Sequence, residues 1–69
     1  MRADEVMLSN PRHRWLFRQA VHQWKLRRFD FVPNRRPRSW ALYDADGKRA
    51  GTLIVTCAGS RLIVDPDWE

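Results

Sequence analysis

Apolar positions along the 69-residue chain change their period once, near residue 39. Before that point they recur at helical spacing. At 100° per residue Phe17, Ala20, Val21 and Trp24 fall on one face, with His13 and Leu16 at its edges. Asn10 suits the N-cap, and Pro11 suits the first helical position, where its missing N–H would have no partner anyway. Nothing between Pro11 and about Arg28 breaks a helix. The pattern predicts an N-terminal arm over 1–9 and a helix over 10–28.

From Ser39 the period becomes two. Trp40, Leu42 and Asp44 alternate with Ala41 and Tyr43 up to "DADGK", a hairpin turn with Asp-Gly at its tip. "AGTLIVTC" reads as a second strand, "AGS" as a turn, and "RLIVD" as a third strand, an edge stopped by Pro66. The intervening residues 29–38, "FDFVPNRRPR", read as a basic connector. Phe29 and Phe31 alternate about Asp30 in a short extended piece, and Pro33 and Pro37 then forbid a helix. The expected fold is a single α+β domain over 1–69. One helix packs on a three-stranded antiparallel meander (39–65) in two layers, followed by an acidic tail at 66–69.

Size bears on stability. A chain this short buries only about 60% of its unfolded surface, so its core is marginal. Four Trp and three Phe are an economical way to build that core. Self-association would add burial, so a homodimer is one expectation.

Charge changes the picture further. Residues 1–40 carry ten Arg/Lys against three Asp/Glu, while residues 41–69 carry three against five. A net of +7 in one half and −2 in the other points to a polyanionic partner. On the helix, Arg14, Arg18 and Lys25 form a basic flank. Arg27 and Arg28 follow at the junction, and Arg35, Arg36 and Arg38 crowd the connector. Several cations spread over one face are what phosphate binding needs, since each neutralises a charge and releases counterions. Arg suits the task through its planar, bidentate fork. Trp15 lies off the core stripe. It is either covered by the N-terminal arm, the first expectation, or exposed to a partner. Trp15 and Trp40 are the candidates for stacking on unpaired bases.

Other chemistry is weakly represented. His13 and His22 lie nine residues apart, half a turn out of phase, and cannot hold one metal from one helix face. Cys57 is the single cysteine, so no intrachain disulfide exists, and its strand position suggests a small buried hydrophobe. "DADG" lacks the remaining ligands of a calcium loop and reads as a turn. No glycine-rich phosphate loop is present. These readings predict a non-enzymatic protein with no cofactor and no metal. There is no leader-like apolar segment and no run of roughly 18 apolar residues, which suggests a cytoplasmic protein that does not enter the membrane. A helix-turn-helix would need further helices, and the aromatic strand motif of an RNA-recognition fold is missing.

Two functions follow as expectations. The first is a small basic regulator that binds DNA or RNA through backbone contacts from Arg14, Arg18, Lys25, Arg27, Arg28, Arg35, Arg36 and Arg38. The second is a phage- or plasmid-type protein from a mobile element that inhibits a larger host protein. That one would dock on an acidic protein surface through Trp15, Trp40, Arg36 and Trp68. In the tail, Asp65, Asp67 and Glu69 are expected to reach a basic stripe, with Trp68 as an apolar plug.

Overall fold

Asn10 caps the helix as its residue type predicts: its side-chain oxygen accepts from the Arg12 backbone N–H at 2.9 Å. The computed structural model describes residues 1–68, so the expectation placed on Glu69 lies outside the described residues. A short 3-10 turn (Ala3–Glu5) precedes helix α1 (Pro11–Gln23). Four strands follow: β1 (Asp30–Pro33), β2 (Ser39–Tyr43), β3 (Arg49–Thr56) and β4 (Gly59–Val64). They form one antiparallel sheet in the order β1-β2-β3-β4. The architecture is therefore α+β, a helix on an antiparallel meander, with four strands where the sequence pattern predicts three.

The added strand comes from the expected connector. Phe31 points into the core opposite Leu42, while Asp30 and Val32 stay exposed. Pro33 is tolerated because it is the last residue of an outer strand, where a missing ladder donor costs least. Residues 34–38 then form the hairpin loop. It is closed by Asn34 N–H donating to the Ser39 carbonyl at 2.9 Å and by Asn34 Nδ2 donating to Ser39 Oγ at 3.0 Å.

The helix is shorter than its pattern, ending at Gln23 rather than Arg28. Lys25 adopts the left-handed conformation with φ 54°. The Leu26 N–H returns to the Val21 carbonyl at 2.9 Å and the Lys25 N–H to the His22 carbonyl at 3.4 Å. These two bonds and the contact between apolar positions 21 and 26 make a Schellman cap. It is usually closed by glycine, because a Cβ in that conformation costs about 1–2 kcal/mol. Lys25→Gly is therefore expected to stabilise the fold by about 1 kcal/mol, a rise in Tm of roughly 4–8 °C for a domain this small. Lys25→Ala, which removes the charge but keeps the Cβ, should give no such rise in a thermal melt followed by circular dichroism.

The core lies between α1 and one face of the sheet. Leu16, Phe17, Ala20 and Val21 from α1 meet Phe31, Trp40, Leu42, Leu53 and Val55 from the strands. The Phe17 ring lies 5.3 Å from Phe31 and 5.1 Å from Trp40, both in tilted or edge-on contact, the arrangement aromatic quadrupoles favour. A bulge at Ala50, between the pairs Leu42–Gly51 and Tyr43–Arg49, turns an extra apolar residue into this core. The N-terminal arm packs Ala3, Val6 and Leu8 against it, and Met1 exchanges two backbone hydrogen bonds with Phe31 along the outer side of β1. No helix of the described residues is long and apolar enough to cross a membrane.

Candidate nucleic-acid interface

Strand register decides which cations share a surface. Ser39 pairs with Ile54 and Thr56 with Gly59, so the β1–β2 loop and the β3–β4 turn lie at the same end of the sheet. The first turn of α1 is tied to that end as well: Arg12 Nε donates to the Cys57 carbonyl at 3.0 Å, and His13 Nε2 lies 2.9 Å from Cys57 Sγ. Arg12, Arg35, Arg36 and Arg38, all exposed, are thereby gathered beside the N-terminus of the helix.

No Asp or Glu belongs to the segments that build this end. Among the described residues the ion pairs are Arg2–Asp30 at 3.9 Å and Arg49–Asp65 at 3.7 Å, both toward the opposite end. Where arginines of the basic end are held, carbonyls hold them. Arg12 Nε donates to Cys57, and Arg38 Nε to Val55 at 3.3 Å. In the same way Arg14 Nη1 is shared between the Leu8 and Ser9 carbonyls at 2.9 and 3.2 Å. A carbonyl orients a guanidinium without cancelling its charge. Arg38 is also left-handed, with φ 58°, a strained conformation that closes the loop presenting Arg35 and Arg36.

The expected eight-residue basic surface is thus divided. Arg35, Arg36 and Arg38 sit at one end of the sheet. Arg14 and Arg18 run along α1 beside the N-terminal arm. Lys25, Arg27 and Arg28 follow the helix cap toward the other end, where Arg28 lies 5.1 Å over the Phe29 ring. Lys25 leaves the stripe because the helix has already ended. Arg12, which the sequence pattern did not single out, joins the loop arginines through the β3–β4 turn. Its position in the first turn, next to the cap, was the only local signal.

The tryptophans separate too. Trp15 is 54% exposed rather than covered by the arm; the arm crosses the other flank of α1, toward Arg14, Arg18 and Val21. One turn along the helix on either side of it stand Arg12 and Arg18. Trp40 is buried against Phe17 and is in no position to stack on a partner. Trp68 is half-buried, edge-on to Phe29 at 5.6 Å, with its indole N–H donating to Asp44 Oδ2 at 2.9 Å.

The tail therefore docks on its own end of the sheet, not on the helix stripe. Lys48 Nζ donates to the Asp67 carbonyl at 2.7 Å, and Asp65 faces Arg49. Asp44 organises this end: its Oδ1 accepts the backbone N–H groups of Asp46 and Lys48, the geometry of a turn. The Trp68 indole, followed by the Lys48 backbone, holds the Asp44 carboxyl below its ordinary value. Both hydrogen bonds favour the charged form. This contribution is present above about pH 4 and is lost as pH falls through the lowered value.

Cys57 is exposed in the β3–β4 turn rather than buried in a strand, because β3 ends at Thr56. Its pairing with the buried His13 is a tertiary contact that no local pattern announces.

A scan against family models finds no match for the chain, and searches of curated proteins and of solved structures find none either.

Proposed function

We propose that the protein binds nucleic acid without catalysis, gripping phosphates with Arg12, Arg35, Arg36 and Arg38 at one end of the sheet. The observation that carries this reading is four exposed guanidiniums at an end built from segments that contain no carboxylate. Like charges so placed repel one another until an anion arrives, and each phosphate they neutralise releases counterions. The N-terminus of α1 adds the positive pole of its dipole to the same end.

Trp15 supplies the second element. Exposed between Arg12 and Arg18 on the helix, it offers a π-face to an unpaired base, with flanking cations for the adjoining phosphates. Such a pairing favours single strands over duplexes and discriminates little among sequences. The runner-up is an acidic protein surface bound by the same face. Trp15 favours it as much as it favours a base, because Trp and Arg are the residue types enriched at interface hot spots.

Anisotropy of labelled single-stranded DNA, single-stranded RNA and duplex DNA at roughly 50 and 200 mM salt tests the proposal. The expected result is micromolar binding at low salt with a steep salt dependence. Arg35/Arg36/Arg38→Ala should weaken it about a hundredfold. The same change should lower the magnitude of the log–log salt slope by about 2, near 0.7 for each single-strand phosphate no longer neutralised. Trp15→Ala should weaken single-strand binding by about 1–3 kcal/mol and spare the duplex. Arg27/Arg28→Ala should change little. No binding of any of the three at 50 mM salt would overturn the reading and leave the acidic protein surface in its place.

A further inference from the structure

The two outer strands of the sheet are not alike. Along β1 the peptide groups of Phe31 already exchange two hydrogen bonds with Met1. The far side of β4 meets no strand among the described residues, although β4 carries the run Leu62, Ile63 and Val64, with Ile63 49% and Val64 55% exposed. Open, apolar edges of this kind pair with other strands unless something blunts them.

We propose that the occupant of this edge is a second copy of the same chain. In this arrangement β4 pairs antiparallel with β4 about a two-fold axis at Ile63. The register follows from the direction of the peptide groups. The Asp65 N–H donates inward to the Ala50 carbonyl at 2.9 Å. By alternation Arg61 and Ile63 also turn their peptide groups toward β3, while Ser60, Leu62 and Val64 turn theirs outward. Outward groups pair with outward groups, so Leu62 of one copy meets Val64 of the other or a position two residues away.

Charge selects among these registers. Centring on Ile63 places Arg61 of each copy opposite Asp65 of the other, and Ile63 opposite itself. Shifting the centre to Leu62 sets Arg61 against an isoleucine, and centring on Arg61 sets two guanidiniums face to face. Opposite charges on directly facing residues stabilise a strand pair, and like charges destabilise it. Arg61, Ile63 and Asp65 share the sheet face away from α1, whereas Leu62 and Val64 share the helix side, where Leu62 already packs on the core. Both faces of the joined strands therefore match. Asp65 would lie between its own Arg49, at 3.7 Å, and Arg61 of the other copy.

The result is a continuous eight-stranded sheet with both helices on one face. The pairing strand is only six residues long, so the association is weak, with Kd on the order of 10–100 µM. The arrangement does not depend on what the basic end binds.

Sedimentation equilibrium of the full chain between about 5 and 500 µM tests it. The expected result is a monomer–dimer equilibrium in that range. Ile63→Lys and the single reversals Arg61→Asp and Asp65→Arg should each weaken it at least tenfold. The combined reversal Arg49→Asp/Arg61→Asp/Asp65→Arg, which keeps position 65 opposite in charge to both its own neighbour and the other copy's, should restore most of the affinity. Circular dichroism of each variant checks that the monomer still folds, and the combined reversal distinguishes lost pairing from a damaged fold. A monomer throughout, or a dimer indifferent to the single reversals and to Ile63→Lys, would overturn the proposal.

Discussion

Replacing Phe31 by Ala is expected to leave the chain largely unfolded at 37 °C. Phe31 has no exposed surface and joins the outer strand β1 to the helix through Phe17, whose ring in turn abuts Trp40. Truncating a buried phenylalanine typically costs about 3–5 kcal/mol, part lost transfer energy and part cavity. A domain of this size has little more than that to lose, since total stabilities start near 5 kcal/mol. The matching fall in Tm is about 12–40 °C. Val32→Ala is the control, one residue along the same strand but half exposed, and should cost under about 1 kcal/mol. Thermal melts of the two variants decide the matter: equal shifts would mean that Phe31 is not the tie between β1 and α1. Because Arg35 and Arg36 hang from the hairpin that β1 opens, Phe31→Ala should also abolish any binding by the basic end. A surface arginine change would remove binding while sparing the melt.

What the sequence reveals of this fold follows from periodicity. The helix face from His13 to Val21 repeats often enough to identify itself, and so does the alternation through Trp40 and Leu42. The end of the helix is hidden because Lys25, not glycine, takes the left-handed position. The apolar residues beyond it, Leu26 and Phe29, continue to look helical although they cap and pack the far end of the core. Strand β1 is hidden because four residues give a period-two pattern little room, and two prolines and three arginines disguise its flanks.

The candidate site is harder to read for a different reason. Arg12 reaches Cys57 because the first turn of α1 docks on the β3–β4 turn, 45 positions away, and Arg38 reaches Val55 across neighbouring strands, 17 positions away. Charge counts place the cations in the first half of the chain. They say nothing of which end of a sheet each reaches, or that carbonyls rather than carboxylates hold them. Trp15 illustrates the same gap, since only the path of the arm decides whether it is covered.

Gly51→Ala is expected to separate β4 from β3. The obstacle is not backbone conformation but space. A Cβ added at Gly51 would fall on the backbone carbonyl of Ile63, across the strand pair. No side chain can rotate away to relieve that clash, so the strands must part. Overpacking of this kind costs about 1–3 kcal/mol, and each ladder hydrogen bond stretched or broken adds about 1 kcal/mol. Together these lower Tm by roughly 10–25 °C. Gly47→Ala provides the comparison. At φ 80° with nothing within 4 Å, it meets only the left-handed penalty of about 1–2 kcal/mol. Native-state hydrogen exchange should show the difference as location: Gly51→Ala deprotects the amides of β4 first, while β1 and β2 keep theirs. If Gly51→Ala melts no lower than Gly47→Ala, the β3–β4 approach is looser than the register requires. The same substitution bears on self-association, because a β4 displaced from its sheet no longer presents a straight edge to a second copy. In Gly51→Ala dimerisation should fall with the protection of β4, and any phosphate binding should fall less, because Arg35, Arg36 and Arg38 sit on the loop between β1 and β2, away from β4, although Arg12 is tied to the β3–β4 turn.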